Sequence, residues 1–373
     1  MWLLLGALCL ARGLRGGGAG VEAFRNPETF MNISQKIVFH GYPSELYEVM
    51  TEDGYFLTLN RIPHGRRDRT RASVLHGFCQ DGGDWVDNFP DNSLAFILAD
   101  AGYDVWLGNN RGNSWSRRHQ NLSVDSVEFW DFSFHEMAMY DLPAMVGFIL
   151  MQTEQEKLFY VGHAQGTLGV RGGGEDLPHL AKKIKLFFAL APVSTLRYAR
   201  GPVLRTYGSR ELVLVKRKDR DARVVKCSRR VPAERCAIEL FLAGGFDREN
   251  LNVSRLDVYL SHFPDYTSVK NLLHWGQEPG EVQPGKWDWG CSSPSQRTPP
   301  FYKIEDMKVP VALWSGDKDW VSPPEEVHRL LPRLSNTIYH EHYSNWNHFD
   351  HHWGLNAPQR LYTEMMALME ENP

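Results

Sequence analysis

Lys157-Leu158-Phe159-Tyr160-Val161-Gly162-His163-Ala164-Gln165-Gly166 is the stretch on which the fold turns. Lys157 to Val161 is a short, mostly apolar run of the kind that forms a buried strand. The pentapeptide that follows keeps a glycine at each end. Those two glycines let the chain turn sharply at a strand–helix junction without a Cβ clash. A G-x-S-x-G pentapeptide in this position is a nucleophile elbow, which pushes its central side chain out toward a substrate. Here the central residue is Ala164. A bare G-x-x-x-G spacing is common and means little by itself, so the order of the remaining elements has to carry the reading.

Outward from the elbow, strands and helices alternate as in an α/β sheet. Asp104-Val105-Trp106-Leu107, Val309-Pro310-Val311-Ala312-Leu313-Trp314 and Thr337-Ile338-Tyr339 read as buried strands. Phe134 to Leu150 reads as an amphipathic helix. Leu355 to Glu371 reads as a closing helix, with Pro358 near its first turn. From about Val193 to Pro300, Pro, Gly, Trp and charge mix without a period, which predicts a lobe inserted between two strands of the sheet. Within it, Arg197 to Arg230 is dense in Arg and Lys and reads as a solvated face. The expected organisation is a leader over 1–20, a first core segment over 21–192, the inserted cap over 193–300 and a second core segment over 301–373.

An acid and a histidine follow the elbow in chain order. Asp319 lies just after the Val309–Trp314 run, with Asp317 as a rival. His348 lies after the Thr337–Tyr339 run, with His351 and His352 as rivals. Nucleophile, acid, histidine is the order of an α/β-hydrolase. In that chemistry the histidine takes the serine proton, and the carboxylate fixes its tautomer and stabilises the imidazolium. His76-Gly77-Phe78 follows another short apolar run and can shape an oxyanion loop. The backbone N–H groups of Phe78 and Gln165 would be its donors.

Composition narrows the alternatives. With 373 residues, 42% of them apolar, the chain can bury a large core. A net charge of −4 argues against nucleic acid or an anionic membrane as the main partner. Met1 to Ala11 is an apolar run too short to span a bilayer and is followed by small residues through Gly20, the pattern of a secretory signal peptide. No other segment is long and apolar enough for a membrane span. Sequons at Asn32, Asn121 and Asn252 agree with export. Cys79, Cys227, Cys236 and Cys291 would then meet an oxidising compartment. Cys227 and Cys236 close a short loop and are candidates for a disulfide, the alternative being unrelated thiols. No spacing suggests a zinc site.

With these residues in view, the chain resembles the acid lipases of the gastric and lysosomal type. The matching stretches include Asn26-Pro27-Glu28, Thr51-Glu52-Asp53-Gly54-Tyr55, His76-Gly77, Leu107-Gly108-Asn109, Arg111-Gly112-Asn113, Tyr140-Asp141-Leu142-Pro143, Asn271-Leu272-Leu273-His274-Trp275 and His348-Phe349-Asp350. The resemblance implies an α/β-hydrolase core with a cap, no cofactor and no metal. Its implied partners are neutral lipid esters, triacylglycerols or cholesteryl esters, met at a lipid–water interface. It implies an extracellular or lysosomal location. It assigns the acid to Asp319 and the histidine to His348, and it matches Cys227 with Cys236 as a disulfide pair. A third family cysteine falls on Gly244.

The departures from that pattern cluster around the site. The family elbow reads Gly-His-Ser-Gln-Gly, so Ala164 stands where the nucleophile is expected. Leu168-Gly169-Val170-Arg171-Gly172-Gly173-Gly174 replaces an apolar helix, and each glycine costs roughly 1 kcal/mol in a helix interior. Arg71-Ala72-Ser73-Val74-Leu75 lacks the long apolar run expected before His76. Thr167, about a turn beyond the elbow, should point elsewhere and cannot replace the serine. The expectation is therefore an acid-lipase-like protein of lipid-ester metabolism that is catalytically impaired, inactive or very weak, because Ala164 replaces the serine, with a non-catalytic lipid-ester-binding pseudoenzyme as the alternative.

Overall fold

The computed structural model describes residues 26–65, 72–75, 80–170, 177–202, 233–275 and 304–373. The leader, His76, Gly77, Phe78, Cys79, Gly172 to Gly174, Cys227 and Cys291 lie outside the described residues. Among the described residues, nine strands form one sheet. They are β1 (Glu45–Met50), β2 (Tyr55–Ile62), β3 (Ala72–Leu75), β4 (Val105–Gly108), β5 (Arg118–His119), β6 (Leu158–His163), β7 (Ile184–Leu190), β8 (Val311–Gly316) and β9 (Thr337–Tyr343). The order is β1-β2-β4-β3-β6-β7-β8-β9, with β5 on the flank of β2. From β4 across to β9 every pairing is parallel, and β1, β2 and β5 add an antiparallel margin.

Burial follows position in the sheet. β4, β6 and β8 are buried at every residue, because helices cover both faces of a parallel sheet. The margins β1 and β9 alternate between more and less exposed residues, as strands with one wet face do. One core layer joins Trp85, Leu107, Phe188, Trp314, Trp346 and Met365. The opposite layer joins Leu59, Trp106, Met145, Tyr160, Phe187 and Leu313. The strands expected at 104–107, 157–161, 309–314 and 337–339 all form, the first three shifted by a residue or two at their ends and the last running on four residues further, to Tyr343. The poorly apolar 71–75 segment also forms a strand. β3 has only four residues, yet it sits in mid-sheet and pairs with β4 and β6 at once. Its place is set by two parallel neighbours rather than by its own hydrophobicity.

Helical residues run from Phe134 through Thr153, with a π-turn over Met137–Asp141. The closing helix begins at Pro358, three residues later than the sequence suggests, and runs through a π-turn into Thr363–Glu371. Between β7 and β8 the described residues hold three helices: α1 (Ala233–Gly244), α2 (Leu256–His262) and α3 (Val269–Trp275). β7 and β8 are sheet neighbours, so this stretch leaves the sheet and returns to its next position.

The loop after β4 is fixed by charge. Arg111 is almost fully buried and donates through Nε to Asp141 at 2.7 Å and through its terminal nitrogens to both carboxylate oxygens of Asp53, at 2.6 and 2.9 Å. Its guanidinium stacks 4.0 Å from the ring centre of Tyr55. Burial pushes Asp141 up to about 6, against the pull of Arg111. Truncation of Arg111 leaves that carboxyl buried without its cation. Arg111→Ala is expected to lower unfolding free energy by about 3–5 kcal/mol in urea denaturation; a loss under about 1 kcal/mol would contradict this account of the loop.

Candidate active site

β6 ends at His163, and the chain turns at once into a 3-10 helix over Ala164–Val170. Ala164 has φ 49°, in the left-handed region that a non-glycine residue occupies only at a cost of roughly 1–3 kcal/mol. A Cβ added to Gly162 would come within 2.7 Å of the Gly166 carbonyl oxygen. The first glycine of the pentapeptide is therefore required by close approach. The turn is pinned further by Tyr160, whose hydroxyl donates to the Gly166 carbonyl at 2.6 Å. Thr167 donates its own hydroxyl to the Ala164 carbonyl at 2.6 Å, so its oxygen is tied to the backbone and turned from the site, as its position in the turn predicts.

Asp319 and His348 meet in the loops after β8 and β9. His348 Nδ1 lies 2.8 Å from Asp319 Oδ2, with both side chains buried. The other oxygen of Asp319 accepts the backbone N–H groups of Val321 and Ser322 at 2.8 and 2.7 Å. The Asp319 carboxylate is thus the acceptor in this arrangement. Nδ1 of His348 therefore carries the hydrogen, which leaves Nε2 as an acceptor. The rival acid Asp317 instead pairs with His342 at the surface, 2.9 Å away. His351 and His352 are buried behind His348. Asp350 takes the backbone N–H of Asn347 at 2.5 Å and braces the histidine loop.

The histidine loop is locked to the elbow. His163 Nε2 lies 2.9 Å from the His348 carbonyl oxygen, and its Nδ1 lies 3.2 Å from Gln80 Oε1. Gln80 also reaches His352. Burial, reinforced by the neighbouring histidines, pushes His163 well below its ordinary pKa. Burial also pushes His351 down to about 4.

Residues outside the expected set complete the site. Gly244 accepts through its carbonyl from the backbone N–H of both Trp320 and His348, at 3.2 and 3.0 Å, and so bridges the acid loop and the histidine loop. A Cβ on Gly244 would lie 2.5 Å from the Phe349 ring, so Phe349 fills the space of any side chain here. Gly245 has φ 107° and would clash with the Lys318 carbonyl. No periodicity announces these glycines, because their role is close backbone approach. Gln165 accepts from Asn271 Nδ2 at 3.0 Å and Trp275 Nε1 at 2.7 Å. Asn271 and Trp275 stand four residues apart on one face of α3, which is the signal that marks them as a pair. Ala164 itself packs in a buried apolar cluster with Phe134, Val193 and Trp275, flanked by Leu196 and Val321.

The remaining expected residues are scattered. Asn121 is exposed. Asn32 and Asn252 are half-buried and cap helix starts through their side-chain oxygens. Cys236 is buried in α1, while its expected partner Cys227 lies outside the described residues, as does the expected oxyanion residue Phe78. Among the described residues no group of three or more His, Cys, Asp or Glu is placed to hold a metal, and no helix is long and apolar enough to cross a membrane.

A parallel sheet with this turn, acid and histidine at the carboxyl ends of its strands defines the α/β-hydrolase class. The family described as alpha/beta hydrolase fold matches residues 74–355, and a partial alpha/beta-hydrolase lipase region matches residues 33–89. Lipase member K of Homo sapiens is 47% identical over 395 residues, covering 100% of this chain and 99% of that one. Gastric triacylglycerol lipase of Mus musculus is 45% identical over 397 residues and is covered in full. A thermophilic esterase from Thermogutta terrifontis has the same fold at 12% identity, with a TM-score of 0.51 over 88% of this chain and 98% of that chain. The chain belongs to the α/β-hydrolase lipases of the gastric and lysosomal type.

The buried histidines give the site a measurable pH signature. An unfolded histidine takes up its proton near pH 6.5, whereas folded His351 refuses one until about pH 4. Its contribution to stability is complete above pH 6.5 and is lost as pH falls toward 4. His351→Gln is expected to flatten the slope of unfolding free energy against pH in that window by up to about 1.4 kcal/mol per pH unit. Denaturation curves at a series of pH values would show it, and an unchanged slope would contradict it.

Proposed function

We propose that this protein belongs to lipid-ester metabolism through an inherited neutral-lipid site, and that it does not turn esters over by the covalent serine route. The observation that carries this is Ala164 in the left-handed turn at the end of β6. A methyl group cannot attack a carbonyl or form an acyl intermediate. Asp319 and His348 are read as the acid and the histidine of the family mechanism, and Ala164 as the vacant nucleophile position. The hydrogen bond between Asp319 and His348 supports that assignment. Gln165 and Phe78 are read as the oxyanion donors.

The relatives' names give the substrate class: gastric triacylglycerol lipase for one, a lysosomal acid lipase/cholesteryl ester hydrolase for another. The pocket is accordingly assigned to triacylglycerol or cholesteryl ester. Residues 193–300 are assigned to a cap over it. The contacts of Gln165 with Asn271 and Trp275 support this, because they tie that segment to the elbow. Export to the extracellular or lysosomal compartment, with glycans on Asn32, Asn121 and Asn252, completes the reading. A Cys227–Cys236 disulfide fits it and is supported by the bonded state of Cys236.

A second reading, retention of lipid esters without turnover, is favoured by the apolar cluster around Ala164. A hydrolysis assay separates activity from retention. The purified full chain, incubated with a triacylglycerol and with a cholesteryl ester, is expected to release no fatty acid beyond weak histidine-assisted attack by water. Serine-protease sites stripped of triad members keep only roughly 10³–10⁴-fold over water. Turnover at about 1 per second or faster, the ordinary enzyme range, would overturn the proposal.

A further inference from the structure

We propose that Gln80 is a positioning residue of the site: its amide nitrogen donates to His163 Nδ1 and its amide oxygen accepts from His352 Nε2, so one side chain clamps the elbow to the histidine loop. The inference rests on the reading of Ala164 and His348 as the family's nucleophile and histidine positions, and it names the residue that holds them in register.

The His348 carbonyl fixes the first proton. It lies 2.9 Å from His163 Nε2 and can only accept, so Nε2 carries a hydrogen. The His163 ring is buried, with the rings of His348, His351 and His352 at 4.6, 6.3 and 4.4 Å. Its two nitrogens meet a carbonyl and an amide, and among the described residues no carboxylate is hydrogen-bonded to it. Burial first, and then those three histidines, push it well below the ordinary histidine range. His163 is therefore neutral, and its Nδ1 is a bare acceptor.

Gln80 supplies the donor. Its side chain is buried, with Oε1 3.2 Å from His163 Nδ1 and Nε2 3.2 Å from His352 Nε2. In that order two acceptors face each other at His163. The same order puts the hydrogen of His352 on Nδ1, which is buried and meets no hydrogen-bond partner among the described residues. Orphaned buried N–H groups are rare. A half-turn of the amide about its last torsion exchanges oxygen and nitrogen in place. The nitrogen then donates to His163 Nδ1, and the oxygen accepts the hydrogen of His352 Nε2. Both rings are now neutral with their hydrogen on Nε2. Burial, reinforced by His348 and His351, keeps His352 uncharged as well. Asp81, next in the chain, is engaged by Trp115 and His262 and stays out of the exchange.

Two measurements test this. The first is ring-nitrogen NMR of the full chain, isotope-labelled at its histidines and assigned through ring-to-backbone correlations, at about pH 6, where an ordinary histidine is mostly charged. His163 and His352 are both expected to be neutral with hydrogen on Nε2. A second hydrogen on His163, or the hydrogen of His352 on Nδ1, would overturn the proposal. The second reads positioning, as the rate of fluorophosphonate labelling of Ala164→Ser with and without Gln80→Glu. The introduced carboxyl has nearly the amide's shape but donates only while it holds a proton. The rate with Gln80→Glu, relative to the rate without it, is expected to fall at least about 5-fold between about pH 5.5 and about pH 9, as that proton is lost and the clamp opens. A ratio that stays flat would overturn the positioning role. The outcomes are separable from the reading beneath. An Ala164→Ser chain that stays unreactive with Gln80 in place would sink that reading, whereas the wrong tautomers in the unaltered chain would sink only this inference.

Discussion

At Ala164 the backbone enters the left-handed region at the point where β6 ends and the following helix starts, and Gly162 and Gly166 stand so close that a Cβ between them has no room. That approach fixes the sharp turn on which Ala164 sits. Strain of this kind persists only where the surroundings over-determine it. Here the surroundings are plain: β6 is buried at all its residues between β3 and β7, and the Tyr160 hydroxyl holds the Gly166 carbonyl. The fold thus keeps the turn whether or not a nucleophile occupies it.

The histidine loop is held to this turn by the His163 side chain, and the acid loop is held to the histidine loop through Gly244. His163 reaches the His348 carbonyl, Gly244 takes the N–H groups of His348 and Trp320, and Asp319 is fixed by Val321 and Ser322. None of these bonds involves the side chain at position 164. The alanine at this place offers a methyl group and leaves those contacts intact. Erosion of the stretch that follows, visible in Gly172-Gly173-Gly174, lies beyond the turn in the chain.

Much of this was legible in the sequence because the core strands are short apolar runs and the elbow has a spaced glycine signature. The order of Ala164, Asp319 and His348 could be read directly. β1 and β2 were not assigned, since their alternation is mixed with charge, as in Glu45, Glu48 and Arg61, whose partners become visible only across strands and loops. β3 looked too poor in apolar residues, yet pairing on both sides decides its state. Gly245 and Gln80 gave no signal, and Gly244 only as a departure from the family's cysteine, because their roles depend on segments brought together from distant parts of the chain. Asn271 and Trp275 were visible as a motif, but their convergence on Gln165 needed the fold.

The central claim is that the turn at Ala164 and the Asp319–His348 pair form a hydrolase arrangement without a nucleophile. Intact-mass measurement after treatment with a fluorophosphonate, which needs an activated serine oxygen, tests it most directly. The unaltered chain is predicted to gain no adduct, and Ala164→Ser is predicted to gain one, mapped to position 164. A stoichiometric adduct on the unaltered chain, or an Ala164→Ser protein that is folded and yet unreactive, would contradict the account.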